Sequence, residues 1–310
     1  MGSILTYNGK ILTSGAKWVG TPIDPYNPLD LPGFTIRLRY TNGVTPTFSY
    51  GTAVQVSSSP NIWDLTYDGG NSHSWEYLLR NHTELLEVIG ANTRSPDKSS
   101  HITNMYYMFA GCTALTTVAV FDTSYCYLTG NMFGSCSSLA TVGAFPLQNV
   151  LNANTMFGDC TSITTLPDFD FSSAEWLSGT FLNCSSLTAA PGLTTTSALK
   201  YTQYLFDGCS AMASVGWFNT ESVIWASAMF RSCNALSGNI PAYDCSSMVR
   251  VDDMFYWAVN VDGGFLDIYN QLKDNPVEMY SRCFEHCGEN SPTGAQELAQ
   301  IPASWGGTGA

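Results

Sequence analysis

The sequence predicts an α/β solenoid built from repeats of 24–25 residues, each giving a short helix and a short parallel strand. Three observations carry this. Phe109, Phe133, Phe157, Phe181, Phe206, Phe230 and Phe255 follow one another at steps of 24, 24, 24, 25, 24 and 25. Three residues after the first six stand Cys112, Cys136, Cys160, Cys184, Cys209 and Cys233, and three further on Leu115, Leu139, Ile163, Leu187, Met212 and Leu236. Columns that keep register over six turns mark stacked repeats, which bury a core only jointly. Finally, counting from each Phe, the apolar positions −7, −4, −1, 0 and +3 fall at the spacing of a buried helical stripe, as in Val223, Ala226, Met229, Phe230 and Cys233. Positions +6, +9 and +12, such as Leu115, Val118 and Phe121, suit a short strand and the corner after it.

The first segment, residues 1–33, reads as a hairpin arm and a stiff linker. Ile4–Tyr7 and Lys10–Thr13 flank Asn8-Gly9, a pair that favours a tight hairpin turn, and Pro22, Pro25, Pro28 and Pro32 punctuate the chain from Gly20 to Gly33. Residues 34–74 read as a small antiparallel β cap. In Phe34–Tyr40 the apolar Phe34, Ile36, Leu38 and Tyr40 alternate with Thr35, Arg37 and Arg39, the pattern of a half-buried strand. Residues 47–50, 53–57 and 62–67 are the further strand candidates. The repeats occupy 75–290. The first is degenerate, with Leu78-Leu79 for Met-Phe and His82 in the cysteine column, and an insertion lengthens the step that follows it. At the far end Ala258 stands where Cys belongs, and the segment from Asn260 to Pro276 lengthens the next step. Residues 291–310 read as a C-terminal cap, with a helical turn near Ala295–Gln300.

Composition narrows the function classes. The chain has 310 residues, of which 12% are charged, and a net charge of −13. Between Met105 and Tyr256 the basic residues are Lys200, Arg231 and Arg250, so a nucleic-acid partner, which is bound by neutralising phosphates, is not expected. Nor is membrane insertion, since no apolar run reaches the roughly 18–20 residues needed. The start carries neither a basic n-region nor an apolar h-region, so a signal peptide is not expected either. Six of the ten cysteines stand in one column of the repeat. That makes them small buried hydrophobes of fixed size, and a reduced ladder is the expectation.

At this point the residues carry a resemblance. Met-Phe-x-x-Cys-x-x-Leu with Phe-Asp-Thr-Ser corners resembles the BspA-like leucine-rich repeats, in the subgroup with Met-Phe for Ala-Phe, over about residues 75–290. Val44–Phe48 and Pro60–Tyr67 resemble the region that precedes such repeats in proteins of gut bacteria and their phages. The resemblance implies a leucine-rich-repeat solenoid with an N-terminal β cap. It also implies a surface or virion protein that binds host or cell-surface molecules, with no family catalytic residues.

Catalytic constellations are scarce. His82 occupies the column that holds Cys elsewhere and is read as a core or capping residue rather than a catalytic one. Cys283, His286 and Cys287 have metal-like spacing, yet Cys287 is the repeat cysteine and Cys283 replaces the repeat Met. Asp168 and Asp170 could mimic paired glycosidase carboxylates, but neighbouring columns supply nothing to complete such a site. Asp262–Asp267 reads as a plain loop rather than a calcium site. No catalytic residue, cofactor or metal is therefore expected.

Binding surfaces are the better candidates. On the strand side, positions +7, +8 and +10 are small and neutral (Thr116, Thr117 and Ala119 in the first turn), with Trp217 the one large addition. On the other side, position −5 reads Asn104, Leu128, Asn152, Trp176, Tyr201, Trp225 and Arg250. With turns spaced like strands, about 5 Å apart, Trp176, Tyr201 and Trp225 should stand in a row, with Tyr204 from position −2 beside them. Such a strip suits sugar rings or a protein partner. The expected function is a non-enzymatic structural or receptor-binding component of a phage or phage-like particle, located in the virion. It would bind a host cell-surface glycan or protein through this strip, dock to other virion proteins through the N-terminal arm, and form a homo-oligomer. A bacterial surface adhesin is the alternative, and a carbohydrate-active enzyme a more distant one.

Overall fold

A computed structural model describes residues 31, 34–67, 74–94 and 101–309, and the backbone of 5–7 and 10–12. The Asn8-Gly9 turn, His73 and, apart from Leu31, the proline-rich linker lie outside the described residues. Strands β1 (Leu5–Tyr7) and β2 (Lys10–Leu12) pair antiparallel as the predicted hairpin requires.

The cap consists of β3 (Thr35–Tyr40), β4 (Thr52–Ser58) and β5 (Asn61–Thr66), while residues 47–50 form no strand. Ile36, Leu38 and Tyr40 are buried. On the other face, Arg37 pairs across the sheet with Asp64 at 2.6 Å and Arg39 with Glu87 at 2.7 Å. Strand β6 (Leu85–Asn92) lies antiparallel to β3 and parallel to β7 (Thr117–Val118), which pairs parallel with β8 (Thr141–Val142). One open six-stranded sheet, in the order β4-β5-β3-β6-β7-β8, thus welds the cap to the first repeats. His82 completes the joint. Its Nδ1 lies 2.6 Å from the Tyr40 hydroxyl and its ring stacks on Phe48, which is the physical form of the capping role.

Beyond β8 the sheet does not continue. β9 (Phe169–Asp170) pairs only with β10 (Leu193–Thr194), and β11 (Gly238–Asn239) only with β12 (Val261–Gly263). Pro167 and Pro191 stand at +10 of successive repeats, where a residue without an N–H cannot serve a ladder.

The helix-plus-strand leucine-rich-repeat solenoid is therefore not the fold. The described residues form several small sheets, none closed. They include two α-helices, α1 (Phe265–Leu272) and α2 (Pro292–Leu298), both C-terminal to the regular repeats. Where helices were expected, each repeat runs through consecutive tight turns. The reason is in the backbone. Position −2 is left-handed in every regular repeat (Tyr107 φ 57°, Asn131 φ 53°, Thr155 φ 52°, Gly179 φ 62°, Tyr204 φ 58°, Ala228 φ 55°, Asp253 φ 57°), and so is position +2 (Gly111 φ 75°, Ser135 φ 60°, Asp159 φ 60°, for example). A left-handed residue every four positions cannot belong to a right-handed helix. Two successive turns bury the same columns as a helical stripe does, so apolar spacing alone does not separate the two.

The turns spend their backbone groups in alternation. In the first regular repeat the N–H groups of Met108, Ala110 and Cys112 close turns onto the carbonyls three residues back. Those of Met105, Tyr107, Phe109 and Gly111 instead donate to Leu128, Gly130, Met132 and Gly134 of the next repeat, at 2.8 to 3.0 Å. The repeats are thus stacked chiefly through this turn run.

Inside the stack the Phe rings form one column from Phe109 to Phe284, with centroids 5.3 to 5.9 Å apart and planes within 17° of parallel. Beside it runs the cysteine column. Each thiol from Cys112 to Cys233 donates to the carbonyl of the Leu79 or Phe residue in the preceding repeat, at 3.1 to 3.2 Å. Cysteine suits the place because it is compact and apolar yet keeps one weak donor. All ten cysteines are free and buried. Burial pushes every thiol up, to about 12 for Cys112, Cys160 and Cys209. Since the thiolate is the reactive species, the folded protein at pH 8 is expected to leave dithionitrobenzoate untouched, and all ten thiols to react once it is unfolded. A fast-reacting thiol in the native protein would contradict the buried ladder.

The −4 column is buried as well, and one member is mismatched. Thr202 donates its hydroxyl to the Trp225 carbonyl at 3.3 Å, whereas the hydroxyl of the fully buried Thr129 has no partner. Thr129→Val is expected to raise stability by about 1 kcal/mol, the cost of an unsatisfied buried hydroxyl, read as a higher urea midpoint.

The Asp-x-Ser corners close through the aspartate. Asp122 accepts from the Ser124 N–H at 3.0 Å, Asp170 from Ser172 at 3.0 Å and Asp244 from Ser246 at 2.9 Å, the local bond that makes Asp a turn residue. At the far end the lengthened step contains α1, which buries Phe265, Ile268 and Leu272 and has its N-terminus covered by the Glu297 carboxylate, 3.2 Å from the Gly264 N–H and 3.0 Å from that of Leu266. Asp262–Asp267 is thus the entry to a helix rather than a plain loop.

Candidate functional site

The −5 residues are joined by parallel backbone bridges from Ser74 through Asn104, Leu128, Asn152, Trp176, Tyr201, Trp225 and Arg250 to Met279. Their −4 neighbours Ala153, Leu177, Thr202 and Ala226 are buried, so alternation turns the −5 side chains outward. Trp176, Tyr201 and Trp225 do stand in a row, each half-buried. Trp176 and Tyr201 are 5.8 Å apart with planes 13° from parallel, and Tyr201 meets Trp225 edge-on at 5.0 Å. The Arg250 guanidinium, 4.7 Å from the Trp225 ring centre, extends the row by one repeat. These rings seal the flank of the stack against one another and keep their outer edges in solvent.

Tyr204 is not part of the row. Among the described residues no ring contact joins it to Trp176, Tyr201 or Trp225. It is 43% exposed, and its partner is the Arg231 guanidinium, 5.4 Å from its ring centre. Arg231 is itself held by Asp207 through two bonds, at 2.9 and 2.5 Å, and lies 3.7 Å from Asp253, which also accepts from Arg282 at 2.8 Å. The hydrogen bonds to Asp207 raise the Arg231 pKa further. Repeats in the second half of the stack are thus cross-braced by alternating charges.

Residues 87–195 and 176–292 match the family model described as "Mycoplasma protein of unknown function, DUF285". The chain belongs to this family. The two matches together cover about two thirds of it and take in every residue of the aromatic row. No curated protein and no solved structure matches this DUF285 chain.

The remaining sequence candidates fall in ordinary places within the DUF285 repeats. Asp168 accepts from the Gly192 N–H at 2.8 Å and Asp170 closes a corner; each carboxylate has a structural bond of its own. Cys283 and Cys287 are buried, and the His286 Nδ1 lies 2.9 Å from Glu289. Among the described residues no group of three or more His, Cys, Asp or Glu could hold a metal ion.

Sequence reasoning missed a second aromatic cluster at the opposite end, where Tyr77 and Tyr107 stack at 5.2 Å under Arg80. Its signal was available, since both tyrosines occupy position −2 of adjacent repeats. It was obscured because Tyr77 belongs to the degenerate repeat. A depression of about 370 Å³ lies beside this cluster, lined by Tyr50, Tyr67, Trp75 and Tyr77 among others.

Proposed function

We propose that this protein is non-enzymatic and works by surface recognition, as a structural or receptor-binding component of a phage or phage-like particle. In this reading the row of Trp176, Tyr201 and Trp225, continued by Arg250, engages a cell-surface glycan or protein. The observation that carries it is that three large rings, each half-buried, stand in contact along one flank of successive repeats; tryptophan, tyrosine and arginine are the residues that dominate recognition energies. The repeat motif adds the finer assignment. BspA-like repeat proteins carry DUF285 segments, and the Met-Phe-x-x-Cys-x-x-Leu motif resembles that family, whose members are typically surface or virion proteins. The N-terminal hairpin arm would dock to other particle proteins, and the chain would act as a homo-oligomer. Tyr204 takes a flanking place beside the row.

The bacterial surface adhesin is the second reading, since the repeat motif resembles that of surface proteins as well as virion proteins. Tail and capsid genes flanking this gene would decide for the particle, and an anchoring or secretion function beside it for the adhesin.

The row itself is tested by the double variant Trp176→Ala/Trp225→Ala, with fluorescently labelled protein titrated onto intact bacterial cells that bind the unaltered chain. Binding is expected to fall at least tenfold, as for loss of an aromatic anchor worth about 2 kcal/mol. Unchanged binding together with unchanged stability would sink the proposal.

A further inference from the structure

We infer that strand β4 is the self-association surface of this protein, pairing antiparallel with β4 of a second copy so that two six-stranded sheets become one. β4 is the outer edge of the sheet, bonded to β5 on one side. Its outward row of N–H and C=O groups meets no backbone partner among the described residues. An edge of seven residues is long for an uncovered one, and such edges pair with other strands unless something prevents it.

Most of the usual protections are missing. Thr52–Ser58 contains no lysine, no other charged residue and no proline. Its one irregularity is the bulge at Val56, which leaves Thr52–Gln55 in regular register with β5. The strand also presents apolar side chains to solvent: Val54 is 59% exposed and Val56 51%, with Tyr50 just ahead of it at 59%. Among the described large apolar residues only Trp217 exceeds these values. Three in one short segment form a patch rather than scattered exposure.

Charge permits a second copy at β4, and the symmetry of the strand favours one. The chain carries a net charge of −13, so most of its surface repels another copy of itself. β4 is an uncharged run where two copies meet without that repulsion. An antiparallel two-fold pairing is self-complementary, every residue finding its counterpart in the other chain. With Val54 on the axis, valine packs on valine within the regular stretch Thr52–Gln55.

The 310-residue chain is expected to sediment as a dimer at micromolar concentration, and Val54→Lys/Val56→Lys to sediment as a monomer. Both side chains are exposed, so the unfolding midpoint should stay within the small range of surface substitutions. In a second arm, Val54→Cys is oxidised under native conditions, where the ten native thiols are buried, and a disulfide-linked dimer is expected. A monomer at every concentration, or a dimer that survives the lysine pair, would overturn the inference. So would a dimer with no cross-link at position 54 or its neighbours 53 and 55, since another surface or the N-terminal arm would then make the contact. None of these outcomes bears on the aromatic row, whose test is cell binding.

Discussion

Replacing Phe157 by Ala is expected to lower stability by about 3–5 kcal/mol, the range for deleting a buried aromatic ring. The ring is fully buried and has neighbours on three sides: Phe133 at 5.5 Å, Phe181 at 5.9 Å and Phe169 at 5.7 Å. The repeats above and below are tied to the Phe157 backbone, through Phe157 to Thr180 and Phe133 to Met156, so they cannot close the gap without breaking the turn ladder. The cavity term therefore adds to the lost burial. Because a stacked array is stabilised largely between neighbours, weakening a central interface should also broaden the unfolding transition. Urea denaturation followed by tryptophan fluorescence checks both, with Trp176 reporting from the adjacent repeat. Phe157→Leu should cost much less, since it fills most of the space. Equal losses for the two variants would mean that ring stacking, rather than volume, sets the effect.

The second large effect is expected at Arg231. Its removal leaves Asp207, whose side chain is only 7% exposed, without the two hydrogen bonds that hold it, and takes one of two cations from Asp253. Breaking a buried pair typically costs about 3–5 kcal/mol because the surviving charge stays buried. Arg231 is a third exposed, so solvent screening brings the expectation for Arg231→Ala down to about 2 kcal/mol. Arg231→Lys should recover little, because an ammonium cannot supply the paired N–H donors that meet both carboxylate oxygens. The double variant Arg231→Ala/Asp207→Ala should be more stable than Arg231→Ala alone, the sign that an unpaired carboxylate caused the loss. Thermal unfolding of the four chains measures this.

The period, the buried columns and the N-terminal sheet were all legible in the sequence, because stacked repeats put like residues at like places. What the spacing could not say was how the chain moves between Met105 and Cys112. A helix and a pair of tight turns bury the same positions. What spoke against a helix were residues that do not advertise it. Glycine marks the left-handed −2 position only at Gly179; Tyr, Asn, Thr, Ala and Asp hold it elsewhere. Position +2 was more telling, with Gly111, Asp159, Asn183 and Gly208, residue types that tolerate this conformation. For the candidate site, the row of Trp176, Tyr201 and Trp225 followed from register alone. The place of Tyr204 did not, because its partner Arg231 comes from the next repeat and is itself oriented by Asp207. Contacts one repeat away are fixed by the columns, whereas the choice among partners within reach depends on charge.

The alternating backbone bonds of the turn run also bear on how long such a stack can be. Each repeat there gives its outward N–H groups to the following repeat and receives those of the preceding one, and on the opposite side the donation is reversed, as from Ala140 to Thr116. The turn-run bonds are therefore the same from one internal interface to the next. Gain or loss of one whole period re-forms the same bonds, while a shift of even one residue puts donor against donor. Repeat number is thus left free, and the 25-residue steps keep the turn run in register by taking up their extra residue outside it. The two ends remain chemically distinct, which is why one is closed by a β-sheet and the other by α2 and the segment carrying Trp305, whose carbonyl takes up the Phe284 N–H.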